Sequence, residues 1–198
     1  MGLIPFRMHR IGLLGAPGLP YLGSFPETDV RLCPVDALGR RGVVFRSLEA
    51  SRLLPVLAAR WAARLPYVWS RMRVEREGDL VRCTSARRWP HATSSRVAVR
   101  VGDRLLAHDP LGTFRTARWG LHRPGRRGPV HWPDEHAQRP LHRAELVEFD
   151  EQLLAAAGCP AVPGHPTACC SPPGSPCGSD PRRPGRAAPR MIHSPGDR

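Results

Sequence analysis

At 198 residues the chain has room for one domain with a real core, and hardly for two. Its formal net charge of +13 raises the question of a polyanionic partner, but the arginines are dispersed among apolar residues and form no basic block with interleaved aromatics. That dispersion makes nucleic acid an unlikely partner despite the charge, and no apolar run approaches a membrane span.

The absence of lysine and asparagine, with isoleucine only at 4, 11 and 192, gives the arginine load the look of a GC-rich coding bias. With no signal-peptide pattern at its start, the chain is expected to be soluble and cytoplasmic, with no membrane contact. A homo-oligomer is compatible with the sequence.

The elements follow in chain order. Strands are predicted over Leu3–His9, Thr28–Val35, Val43–Leu48, Tyr67–Glu75, Leu80–Ser85, Arg96–Val101, Arg118–His122 and Leu141–Phe149. The alternation is clearest in RVAVRV, where Val97, Val99 and Val101 share a face. Glu77-Gly78-Asp79 reads as a hairpin turn, and DALGRRG and RPGRRG as two further turns. One helix falls within Glu49–Arg64, with Ser47 or Ser51 as its cap and Pro66 ending it. Its apolar stripe is Leu53, Leu54, Leu57, Ala58 and Trp61, and Pro55 requires either a late start or a kink. A short second helix runs from Asp150 to a glycine stop at Gly158. These elements define an α+β, mainly antiparallel β protein, a sheet curled into a barrel with one packed helix.

Composition divides the chain at Gly158. Residues 1–158 form the domain, and 159–198 a Pro/Gly/Arg-rich tail with scarcely an aliphatic, expected to be disordered. Cys33 and Cys83 read as small buried hydrophobes. Cys159, Cys169, Cys170 and Cys177 lack paired metal-ligand spacing, and HWPDEHAQRPLH, residues 131 to 142, lacks a fixed histidine spacing. No metal and no cofactor are expected. Glycine-rich nucleotide loops and the Gly-x-Ser-x-Gly elbow are absent from the sequence.

FPETDVRLCPVDALGRRGVVFRSLEASRLL, LPYVWSRMRVEREGDLVRC and GTFRTARWGLH with HWPDEHAQRPLHRAEL together resemble the YqjF-like family of the acetoacetate-decarboxylase-like superfamily. The motifs that carry the resemblance are Phe-Pro-Glu-x-x-Val-Arg, Ser-Leu-Glu-Ala-Ser and Pro-Leu-His-Arg-Ala-Glu-Leu. The resemblance implies a conical, largely antiparallel β-barrel around a pocket. It also implies a segment ahead of Gly2 in relatives, so the domain is expected to be truncated at its N-terminus. It does not imply decarboxylation. That chemistry forms a Schiff base on a lysine amine, and these residues contain no lysine. Arginine cannot substitute, because its guanidinium stays protonated.

The leading expectation is therefore a barrel that binds a small organic acid. Arg31 and Arg118 would hold the anionic group, with Glu27, His122 and His142 as polar partners. On β-strand alternation, Phe25, Glu27, Asp29 and Arg31 would face inward, while Thr28, Val30 and Leu32 pack beneath the helix. A ligand, a water or His142 would bridge Glu27 and Arg31. One alternative is a non-covalent enzyme acting on a keto or carboxylic acid, with Glu27 or His142 as general acid or base. Another is a degenerate barrel that serves as an interaction protein.

Overall fold

The computed structural model describes residues 1–8, 23–89, 91–104, 120–125, 128–133, 141–161 and 166–170. The strands are β1 (Gly2–Arg7), β2 (Pro26–Leu32), β3 (Val44–Ala50), β4 (Tyr67–Glu77), β5 (Leu80–Arg87), β6 (Ser94–Arg104), β7 (Gly120–Gly125), β8 (Gly128–Pro133), β9 (His142–Glu151) and β10 (Ala168–Cys170). Helix α1 (Leu53–Ala62) lies between β3 and β4, and α2 (Leu153–Ala156) follows β9.

Eight strands form one curled, half-barrel sheet in the order β1-β2-β3-β4-β5-β6-β9-β10, and β7 pairs with β8 separately. The ladder does not close on itself among the described residues. The β3–β4 pair is parallel and the other named pairs are antiparallel. A parallel neighbour needs a crossover, which α1 supplies. Between β4 and β5, Glu77 pairs with Leu80, leaving Gly78-Asp79 as a two-residue loop. Gly78 takes a φ of 60°, which glycine adopts without a Cβ clash, so the expected turn lies where its sequence placed it.

The core centres on β2 and β3. Glu27 to Val30 and Ser47 to Ala50 are buried on both faces of the sheet. Phe25, Ala50 and Val56 form an apolar cluster, with Met8, Tyr67 and Trp69 packed against it.

Helix α1 corrects the expected packing. Leu53, Leu54, Leu57 and Trp61 are exposed, Trp61 to 88%, and Val56 is the buried residue of the helix. Val56 lies one residue, about 100°, around the helix from Leu57. The crossover turns this side toward Phe25 and Ala50, so α1 abuts the face that carries Glu27 and not the one that carries Val30. The expected serine caps are also absent, since Arg52 occupies the N-cap position without a side-chain cap bond. Pro55 does fall in the first turn, where its missing N–H costs least. At α2, Gly158 takes a φ of 68°, consistent with the predicted glycine stop.

Strand β8 was not anticipated. His131, Trp132 and Pro133, the start of HWPDEHAQRPLH, belong to it, and it pairs with β7 from Gly125 opposite Gly128 to Gly120 opposite Pro133. Pro129 and Pro133 suggest a break in sequence, but a strand with one partner leaves a row of N–H groups outside the ladder. Within the predicted tail, Ala168–Cys170 pairs with β9. The expectation of disorder otherwise falls mostly outside the described residues.

Candidate functional site

Two carboxylates spaced i, i+2 on a strand must share a face. On β2 these are Glu27 and Asp29, which are 2% and 4% exposed. Their cross-strand partners are apolar: Phe6 and Ala50 flank Glu27, and Ile4 and Leu48 flank Asp29. Tyr67, on β4, donates its hydroxyl to Glu27 Oε1 at 3.1 Å. Arg31 follows on the same face of β2.

Burial dominates the electrostatics here. It pushes Glu27 well above the ordinary carboxylate range, and the neighbouring charge of Asp29 pushes it further, while the Tyr67 hydrogen bond pulls the other way. Asp29 is raised to about 7 by burial, against the opposing pull of the Arg31 guanidinium and a hydrogen bond from Glu27. Burial of both carboxyls on one face favours a proton held between them over two negative charges. Glu27 Oε2 and Asp29 Oδ1 are buried with no donor among the described residues, so a proton between the carboxyls, or an outside donor, is what can satisfy them. Such a pair releases its protons as a unit.

A second polar cluster occupies the opposite face of β3. Glu49, fully buried, accepts from Arg87 Nε at 3.0 Å and Nη2 at 2.7 Å on Oε1. Ser47 Oγ donates to the same oxygen at 2.5 Å, and Ser70 Oγ donates to Oε2 at 2.6 Å. Arg87 Nη2 also reaches Ser47 Oγ at 2.9 Å. Both carboxylate oxygens are occupied by protein donors, so this network ties β3, β4 and β5 together.

The sequence-predicted residues separate into three places. Glu27 and Arg31 lie on one face, with Asp29 between them, so Asp29 and not His142 links their charges. His142 lies on β9, five strand positions from β2, and its Nδ1 is 3.1 Å from the Gly102 carbonyl. His122 lies on β7, opposite His131 on β8. Arg118 lies outside the described residues. Sequence reasoning placed Asp29 on the charged face but left it out of the ligand set, and it missed Tyr67, which the β3–α1–β4 crossover brings beside Glu27. Burial and the charge of His122 hold His131 below the usual histidine range.

The fold and this cluster define a curled, mainly antiparallel β-sheet protein with a buried, proton-sharing carboxyl pair. The chain belongs to the DUF2071 family, described as an uncharacterized conserved protein, whose model matches residues 1–175. It is similar to the uncharacterized protein YqjF of Bacillus subtilis (strain 168), at 33% identity over 88 residues. That match covers 44% of this chain and 36% of the relative, so the chain spans little more than a third of that protein's length. No solved structure matches.

Proposed function

We propose that this protein binds a small organic acid at the Glu27–Asp29–Arg31 line of β2. The observation that carries the reading is the pair of buried carboxyl oxygens, Glu27 Oε2 and Asp29 Oδ1, that have no donor among the described residues. A ligand carboxyl can take the place of one partner in the shared-proton hydrogen bond of the pair, beside the Tyr67 hydroxyl on Glu27, and the Arg31 guanidinium two residues beyond Asp29 carries the countercharge. Closure of the sheet into an acetoacetate-decarboxylase-like barrel, with residues 1–158 as its domain and the rest as a disordered tail, belongs to the same reading. So does a cytoplasmic location. His122 and His142 have no described contact with Glu27, so the proposed ligand set is Glu27, Asp29, Arg31 and Tyr67, with Arg118 kept in the proposal from the sequence.

A second reading, general acid–base catalysis without a covalent intermediate, is favoured by one feature. Asp29, raised to about 7, is matched to proton transfer near neutral pH. It places the same ligand class at the same residues.

The test is thermal melting against a panel of keto, hydroxy and dicarboxylic acids, because a ligand specific to the folded state raises the melting temperature. At least one acid should give a saturable rise that Arg31→Ala abolishes. An absence of any saturable shift, or an equal shift in Arg31→Ala, would contradict the proposal. Turnover of the stabilising acid then separates catalyst from binder.

A further inference from the structure

We propose that helix α1 is a membrane-surface element whose exposed leucines and tryptophan enter an anionic lipid headgroup layer. The contact rests on α1 and its C-terminal end, and is independent of the carboxyl pair on β2.

Four large apolar side chains of this ten-residue helix stay in water: Leu53, Leu54, Leu57 and Trp61, exposed to 40%, 62%, 52% and 88%. At about 100° per residue they fall within one arc of about 100°, next to the side on which Val56 is buried. Single exposed leucines are ordinary, whereas a contiguous apolar arc left wet marks a contact surface. A further indole lies near the end of this arc. Arg123 Nη1 donates to the Ala63 carbonyl at 3.2 Å, and the same guanidinium lies 5.3 Å from the centre of the Trp132 ring. Trp132 is itself 42% exposed.

Charge selects the occupant. Between Glu49 and Glu75 the sequence holds five arginines and no acidic residue. Arg60 and Arg64 are exposed, and Arg60 Nη1 donates to the Tyr67 carbonyl at 2.6 Å, which holds that cation at the end of the helix. Arg64, just past the C-cap Ala63, takes a φ of 52°, at a position where glycine is the commoner residue. A cation is kept there despite its backbone cost.

A second copy of this chain would bring the same arginines face to face, because a two-fold contact pairs a surface with itself. Nucleic acid would neutralise the arginines and stack on the tryptophans, but it would leave three leucines wet. An anionic lipid surface suits all three kinds of side chain. Its phosphates meet the guanidiniums, indole rings sit at the headgroup level, and leucines reach the acyl boundary. No described helix is long and apolar enough to cross a membrane, so α1 lies along the surface. The expectation of no membrane contact rested on the missing span, and a helix in the interface needs none.

The test is co-flotation of the full chain with vesicles of phosphatidylcholine, either alone or with about one-third phosphatidylglycerol. The expected result is saturable binding to the anionic vesicles, and at least about tenfold weaker binding to the neutral ones. Trp61→Ala and Leu54→Ser, both at exposed positions, should each weaken anionic binding about tenfold while the thermal melt stays that of the parent. Arg60→Gln with Arg64→Gln should weaken it more than Arg100→Gln with Arg143→Gln, exposed arginines on β6 and β9 that control for net charge. No saturable binding, or binding unchanged in both Trp61→Ala and Leu54→Ser, overturns the proposal. Equal losses from the two arginine pairs reduce the contact to net charge and overturn it as well. Self-association or oligonucleotide binding that Trp61→Ala abolishes, in place of vesicle binding, assigns the face to another occupant and does the same.

Discussion

Glu27 and Asp29 lie two residues apart on one face of β2, between flanking apolar side chains on β1 and β3, where burial raises both carboxyls and favours a proton shared between them. Asp29 in turn feels the guanidinium of Arg31. This line explains why FPETDVRL carries two acids and a base on one face. It is an interior proton-holding row, and a wet rim would expose it.

The pair makes stability depend on pH in a definite direction. Both carboxyls have folded pKa values raised above the unfolded ones, so the folded chain binds more protons in between, and stability falls as pH rises. The contribution is fully present below about pH 4, the unfolded carboxylate range, and from Asp29 it is lost as pH passes about 7. Every tenfold difference in proton affinity between the folded and unfolded chain is worth on the order of 1.4 kcal/mol. Urea unfolding at a series of pH values between these limits should show the decline. A rise in stability over that window, traced to these two residues by their amide variants, would contradict it.

Glu27→Gln removes the need to hold a proton. The amide carbonyl can still accept from Tyr67, and the amide N–H can donate to Asp29 at any pH. The variant should be more stable than the parent at about pH 8, by on the order of 1–3 kcal/mol, with the gain shrinking toward pH 5. Paired melts at the two pH values check this.

The opposite face behaves differently. Arg87→Ala leaves Glu49 buried without the guanidinium that donates twice to its Oε1, which should cost about 3–5 kcal/mol. Restoring packing by changing Glu49 and Arg87 together to apolar residues should recover much of that loss. Denaturant unfolding of the single and double variants measures the coupling.

Much of this architecture was legible in the sequence, and the failures have physical causes. The β4–β5 turn was readable because Gly78 alone tolerates the required φ, and α1 was readable because Pro55 is tolerated only in a first turn and Pro66 stops the chain beyond its end. The face that α1 buries was not. Periodicity identifies Leu53, Leu57 and Trp61 as a stripe, but the crossover geometry decides which side meets Phe25. The charged row on β2 followed from alternation, whereas its partner Tyr67 came from a parallel pairing that no local pattern encodes. Strand β8 was hidden by its prolines, and with it the pairing of His122 and His131.

Helix α1 offers a direct check on that lesson. Val56→Ala should cost about 2 kcal/mol, because it opens the cluster with Phe25 and Ala50. Trp61→Ala, at an exposed position, should stay within about 0.5 kcal/mol despite removing a far larger side chain. Equilibrium unfolding of the two variants side by side distinguishes the packings.

The most direct measurement is a carbon NMR titration of the Glu27 and Asp29 side-chain carboxyls in the folded protein, assigned with Glu27→Gln and Asp29→Asn. The account predicts that both carboxyls titrate above the ordinary range, together, with Asp29 centred at about 7 and each responding to the proton on the other. Two independent titrations near the ordinary carboxylate values of about 4 would contradict the buried, proton-sharing pair.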